Sequence, residues 1–246
     1  MNQTRMSVAE KIQKSVIRLR EGTTFKYQNL GLAPSEYSAA AKAIERLIRQ
    51  GIIKRASTGV FYKPKQTAFG ELRPREEELL RPYLFEGQKR IAYITGDVLY
   101  NRMGLTTQIP KAIKVASRAK RVTTKIGKMS VKPVKSYVDV TNENYRLLEI
   151  LDALKDFKTI PDLDKRSAII QLKRMIKTLS ASERSQLIKY ARKYPPRTRA
   201  LLGALLTALK KSKETSTLRE SLNPLSSYEL GIDSTILPSV TQWNID

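Results

Sequence analysis

The chain has no cysteine and no histidine in its 246 residues. Those two absences remove a block of chemistry: there is no thiol nucleophile, disulfide, Cys/His zinc site, imidazole base or Ser-His-Asp triad. Zero cysteines fits a reducing interior. Long apolar runs are missing too, since the most apolar stretch, Ala200 to Leu209, is about half the length needed to span a bilayer. Met1–Arg5 leads into polar, amphipathic sequence where a secretory signal would be apolar, so a cytoplasmic protein without a membrane partner is expected. No phosphate-binding P-loop or dinucleotide fingerprint occurs, so neither cofactor nor metal is expected. A nuclease lacking histidine and cysteine would need carboxylate-held metal or a lysine nucleophile. The sequence has no Glu-x-Lys, and its one Asp-x-Lys, Asp156-Phe157-Lys158, falls at a predicted helix end. No catalytic residue is therefore assigned, and the chain is not expected to be an enzyme.

Positive charge is what the chain has in excess: 46 basic residues against 23 acidic, net +23. Residues 1–70 hold 13 basic and 4 acidic residues, 71–140 hold 15 and 7, and 141–212 hold 16 and 7. Only 213–246 reverses the sign, with 2 and 5. The charge belongs to folded stretches rather than to a basic tail. Polyanions are the natural partners of such a surface, nucleic acid ahead of an anionic membrane.

Val8, Ile12, Val16 and Leu19 recur at helical steps after Ser7, with Glu10 completing a capping box. A second short helix is predicted over Phe25–Leu30, closed by Gly31, and a third from Pro34 to about Gln50, stopped by Gly51. Two strands, Ile52–Ala56 and Val60–Lys63, flank the turn Ser57-Thr58-Gly59. Three helices and a hairpin in this order form a winged helix-turn-helix. Burying Ala40, Ile44, Leu47 and Ile48 turns Ser38, Lys42, Glu45 or Arg46, and Arg49 outward, with Ser35 and Tyr37 at the first turn. That is where a recognition helix meets base edges. Arg55, Ser57, Thr58 and Lys63 place donors on the wing, suited to phosphates. The plain alternative is a winged helix with a solvated basic face used for protein contacts.

Gly70–Pro74 reads as a linker, and Arg75–Arg81 as a helix stopped by Pro82, its Glu76-Glu77-Glu78 run compensating the helix dipole. Strands are predicted at Ile91–Thr95, Ala112–Ala116, Arg121–Ile126 and Ser130–Val134, the last two joined by a turn at Gly127-Lys128, with a short helix Asp97–Met103; Pro133 suits an edge strand. No acidic residue occurs from Val98 to Val138, while ten basic ones do, Lys111, Lys114, Arg118 and Arg121 among them. Alternation with Val, Ile and Thr suggests one positive sheet face, either a second polyanion surface for RNA or an acidic protein partner, or an ordinary solvent face. Four amphipathic helices follow, at Asn144–Lys155, Lys165–Leu179, Ala181–Tyr194 and Thr198–Lys210. The expected fold class is α+β: a winged helix over 1–70, then a small mixed sheet packed with a helical bundle over 71–212. A polar tail over 213–246 is expected to be flexible, with Trp243 and Ile245 docking locally.

This order resembles the AbiEi-type antitoxins of type IV toxin–antitoxin systems, in the branch with a short winged helix and a separate antitoxin domain. The matching residues are Ala43 to Arg55, Gly59 to Pro64 and, more specifically, Ile94-Thr95-Gly96, Leu99, Asn101 and Gly104-Leu105-Thr106-Thr107-Gln108-Ile109-Pro110. The resemblance covers roughly residues 8–212. It implies repression of the chain's own operon by operator binding. It also implies neutralisation, direct or functional, of a cognate nucleotidyltransferase-like toxin. Gly96, Gly104, Leu105, Thr106, Thr107, Gln108, Lys111, Lys114, Arg118 and Arg121 are the residues staked on that second role. Their plain alternative is structural: a glycine turn, and threonines satisfying loop amides. The competing reading of the whole chain is a stand-alone winged-helix regulator with a sensing or protein-binding second domain.

Overall fold

A computed structural model describes residues 6–246; Met1–Arg5, read above for a signal, lies outside them. The fold is mixed α+β with small sheets, and the chain divides into two compact units. The first takes the residues up to Lys89 and also Thr123–Val131; the second takes Arg90–Val122 and Lys132–Asp246. The expected boundary near residue 70 is thus corrected: a hairpin from far downstream belongs to the N-terminal unit.

In the first unit, α1 (Val8–Arg18) begins with the anticipated capping box. The Ser7 hydroxyl accepts from Glu10 N at 3.3 Å, and the Glu10 carboxylate accepts from Ser7 N at 2.8 Å. The Phe25–Leu30 helix is corrected. Thr24–Lys26 forms β1, and only Tyr27–Leu30 coils, as a 3-10 turn closed by Gly31 at φ 64°. Strand pairing wins there because Phe25 lies opposite Phe61 with ring centroids 5.8 Å apart. After a 3-10 turn at Pro34–Glu36, α2 runs Tyr37–Arg49, followed by β2 (Lys54–Ser57) and β3 (Val60–Tyr62). The antiparallel sheet has the order β1-β3-β2. Ile12, Val16, Phe25, Ile44, Leu47, Ile53 and Phe61 make its core.

The expected linker is instead a ribbon, β4 (Lys65–Thr67) paired with β5 (Gly70–Leu72). Helix α3 (Glu76–Leu84) runs through Pro82 rather than stopping at it. A proline inside a helix strips the carbonyl four residues back of its donor. Here that carbonyl, Glu78 O, receives the Thr24 hydroxyl at 2.8 Å, and the Glu78 carboxylate accepts from Thr24 N at 3.1 Å. Glu78 therefore ties α3 to β1 as well as facing the helix dipole. Short strands β6 (Phe85–Glu86) and β7 (Lys89–Arg90) follow.

In the second unit β8 (Tyr93–Thr95) pairs antiparallel with β9 (Ala112–Ser117), and α4 (Asp97–Arg102) lies between them in sequence. β10 (Thr124–Ile126) and the start of β11 (Met129–Lys135) form the hairpin of the first unit, and β11 then continues beside β9. Pro133 sits past the last β10 pair, Thr124↔Val131, where no ladder donor is lost on that side.

Helices α5 (Tyr145–Lys155), α6 (Lys165–Thr178), α7 (Ala181–Ala191), α8 (Pro196–Ala208) and α9 (Ser216–Glu220) complete the second unit. α5 and α8 are buried almost all round, as helices packed on every side must be. The flexible-tail expectation is corrected as well: Leu218, Leu230, Ile232, Leu237, Val240, Trp243 and Ile245 are buried in this core. Among the described residues no helix is long and apolar enough to cross a membrane.

Candidate nucleic-acid interface

Ala40, Ala43, Ile44 and Leu47 are buried on α2, which turns Ser38, Lys42, Glu45, Arg46 and Arg49 to solvent. Lys42, Arg46 and Arg49 follow one another at four- and three-residue steps, so their stems share one face. None of the three forms an ion pair among the described residues. Ser35 is exposed in the 3-10 turn ahead of the helix. Tyr37 is half-buried with its ring 6.0 Å from Tyr27, so it braces the entry to α2. Burial raises the Tyr27 phenol above its usual range.

At the β2–β3 turn, Thr58 is exposed and Gly59 takes φ 71°, a left-handed geometry that favours glycine. The Arg55 guanidinium lies 5.7 Å over the Phe61 ring, which holds an exposed cation in place. Two residues expected at this edge are bonded within the fold. The Lys63 ammonium donates to the Ile17 and Leu19 carbonyls at 3.1 Å each, capping the end of α1. The Ser57 hydroxyl shares a short hydrogen bond with Tyr83.

Sequence reasoning placed two strands and a turn over the hairpin Thr124–Val131 but missed the unit it joins. β10 lies beside β2, and Lys125 and Lys128 are both exposed. The turn Gly127-Lys128 was legible as a turn, but nothing local says which unit it joins. Arg73 reaches the same place: a Cβ built on Gly127 would stand 3.2 Å from its guanidinium. The single positive sheet face expected between Val98 and Val138 is therefore broken up. Lys125 and Lys128 go to the first unit, and Arg102 pairs with Glu149 at 2.5 Å.

The Thr-Gly strand end and the loop after α4 form a knot in the second unit. The Thr95 and Tyr93 hydroxyls donate to Asp152 at 2.6 and 2.9 Å, and Tyr100 donates to Asp156 at 2.5 Å. Lys155 lies 3.4 Å from Asp152 and 3.6 Å from Asp156. Burial pushes the Asp152 carboxyl up. Burial pulls Lys155 down, but the two carboxylates outweigh it and keep the ammonium charged. Gly96 takes φ 70°, and a Cβ there would stand 2.6 Å from the Lys114 stem, which packs over it. Asn101 donates to the Thr106 and Gln108 carbonyls at 3.4 and 3.3 Å. Leu105 and Thr106 are buried, Gly104 takes φ 71°, and Gln108 bonds Asp162. What the loop offers outward is Thr107, Lys111 and Ile109, the last 85% exposed. Arg121 is exposed, and Arg118 sits 3.7 Å from Asp139.

Arg102 and Glu149 also line a cleft of about 540 Å³ with Tyr145 and Arg146. Burial pushes the Glu149 carboxyl above the usual range, against the pull of Arg102. A raised carboxyl pKa means the folded chain holds the proton more tightly than the unfolded one. Stability at this site is therefore present at acid pH and lost as pH climbs from the ordinary carboxylate range through the raised value. Urea melts across that range are expected to move against the wild type, relative to Glu149→Gln, as pH rises. The difference should then level off above it.

Residues 8–187 match the model of a family described as "Family of unknown function (DUF6088)". The chain belongs to that family. No curated protein matches it. Among solved structures it is similar to the RV2827C protein from Mycobacterium tuberculosis, at 11% identity and a TM-score of 0.51. That likeness covers 92% of this chain and 86% of the other and concerns the fold alone. The family match in this DUF6088 chain spans α2, both hairpins and the loop after α4, so the surfaces described above lie inside the shared region.

Proposed function

We propose that this protein binds duplex DNA through a winged helix formed by residues 8–62, with α2 in the major groove and the β2–β3 turn on the flanking backbone. The observation that carries this is the exposed face Ser38, Lys42, Arg46, Arg49, opposite a buried Ala40/Ala43/Ile44/Leu47 face and without competing ion pairs. Small residues at Ala39 and Ala41 leave the helix slim where a groove would close on it. Lys125, Lys128, Arg73 and Arg55 add charge in the same unit, suited to phosphates. Double-stranded DNA is favoured over RNA because a helix face fits its major groove, whereas that of A-form RNA is too deep and narrow.

The second unit acts, in this reading, as the antitoxin of a type IV system against a nucleotidyltransferase-like toxin, and the DNA-binding unit represses the shared operon. The support is the resemblance through Ile94-Thr95-Gly96 and Gly104 to Pro110. Thr107, Ile109 and Lys111, exposed in or next to that loop, would be the ones to meet a partner. The cleft at Arg102 is the feature that favours a ligand-sensing regulator instead.

The test uses the full chain. Binding to the duplex upstream of its own gene should be tighter than to an unrelated duplex and should weaken steeply with salt. Growth should be restored when the chain is co-expressed with a toxic neighbouring gene product. Sequence-indifferent binding overturns the repressor reading. Failure to rescue from a neighbour shown to be toxic overturns the antitoxin reading and leaves the regulator.

A further inference from the structure

The ribbon β4–β5 has no role in the core of the unit that carries it. All six of its strand residues, Lys65–Thr67 and Gly70–Leu72, are exposed, so both faces stand in solvent. At its tip Phe69 is 103% exposed, the most exposed large apolar side chain among the described residues. A two-stranded ribbon alone in water is at best marginally stable, and a bare phenylalanine adds nothing to it. The ribbon is nevertheless held in shape. The Thr67 hydroxyl donates to Gly70 O at 2.6 Å and accepts from Phe69 N at 3.3 Å, while Gly70 takes φ 106°. Lys54 on β2 pairs with Glu71, which also accepts from Gln66 at 3.4 Å. Phe69 is thus presented on a fixed turn that is tied to the sheet behind α2.

Charge decides what the tip is presented to. Lys65 and Arg73 flank it and are exposed, and the ribbon's one carboxylate, Glu71, is already neutralised by Lys54. An aromatic tip on a cationic two-stranded ribbon matches a polyanion with stacked rings inside it. Strands and ribbons of DNA-binding proteins enter either groove of a duplex, and proteins that bend DNA drive apolar wedges between base steps from the minor groove. We infer that the β4–β5 ribbon enters the minor groove of the duplex held by α2 and wedges the Phe69 ring between base pairs, kinking the DNA. This rests on the DNA-binding reading above.

The experiment uses the full chain and a duplex from the region upstream of its own gene, labelled at both ends for energy transfer and carrying 2-aminopurine at single steps. The wild type is expected to shorten the end-to-end distance and to brighten 2-aminopurine at one step. Phe69→Ala should abolish both signals and weaken binding about tenfold, at an unchanged salt slope, because stacking rather than counterion release is lost. Phe69→Trp should keep the kink. Both variants should melt like the wild type, since the ring touches nothing in the fold. Equal bending and affinity for wild type and Phe69→Ala would overturn the wedge, leave the α2 reading standing and turn Phe69 toward a protein partner. No duplex binding by the wild type would overturn both.

Discussion

Alanine at both Lys42 and Arg46 is expected to weaken duplex binding about a hundredfold near physiological salt and to lower the salt slope by about two. Each side chain stands free on the exposed face of α2, so neither is occupied by another protein group. Losing a base-edge contact costs about 1–3 kcal/mol, and losing a phosphate contact mainly removes one released counterion. The fold should not suffer, because alanine is the best helix former and both positions are solvated. A fluorescence anisotropy titration at several salt concentrations, with a thermal melt beside it, separates these effects. Unchanged affinity in a double variant that melts like the wild type would take α2 out of the groove. The basic surface of the first unit would then need another partner.

That face was legible in the sequence for a simple reason: helical periodicity sorts residues without reference to anything distant. The same holds for the capping box at Ser7/Glu10, which satisfies orphan helix amides within three residues. What escaped sequence reasoning depends on residues far apart. Pro82 reads as a helix stop until the Thr24 hydroxyl, 58 positions earlier, is seen on the carbonyl it orphans. Phe25 reads as helical until Phe61 is found opposite it. Lys125 and Lys128 read as part of a downstream sheet face, because no local pattern records that their hairpin joins the first unit. Lys63 reads as a phosphate ligand, whereas the end of α1 claims it first. The loop Gly104–Pro110 was recognised by resemblance; the left-handed backbone at Gly104 and the hydrogen bonds of Thr106 explain those two structurally, while Thr107, Ile109 and Lys111 are exposed.

The C-terminal segment shows how composition misleads when one anchor is strong. Trp243→Ala is expected to cost about 3–5 kcal/mol, lowering the melting midpoint by roughly ten degrees. The indole is 2% exposed, its Nε1 donates to Thr207 Oγ1 at 3.1 Å, and the Arg219 guanidinium lies 4.5 Å over the ring. The ring rests directly on Gly203 of α8: a Cβ built there would stand 2.2 Å from the nearest ring atom. Glycine in mid-helix is normally a liability, so its presence here is explained by the indole it admits. Around it the Ser239 hydroxyl donates to Ala204 O at 2.7 Å, and Tyr228 N donates to Asn244 O at 2.8 Å. Gly203→Ala should therefore destabilise the wild type by displacing the ring. In the Trp243→Ala background the same methyl meets empty space, and helix propensity makes it neutral or favourable. A cycle of the four proteins, read by denaturant melts, should show this reversal of sign as a coupling of about 1–3 kcal/mol. Additive changes, or a Trp243→Ala variant that melts like the wild type, would return residues 213–246 to the flexible tail that their polar composition suggests.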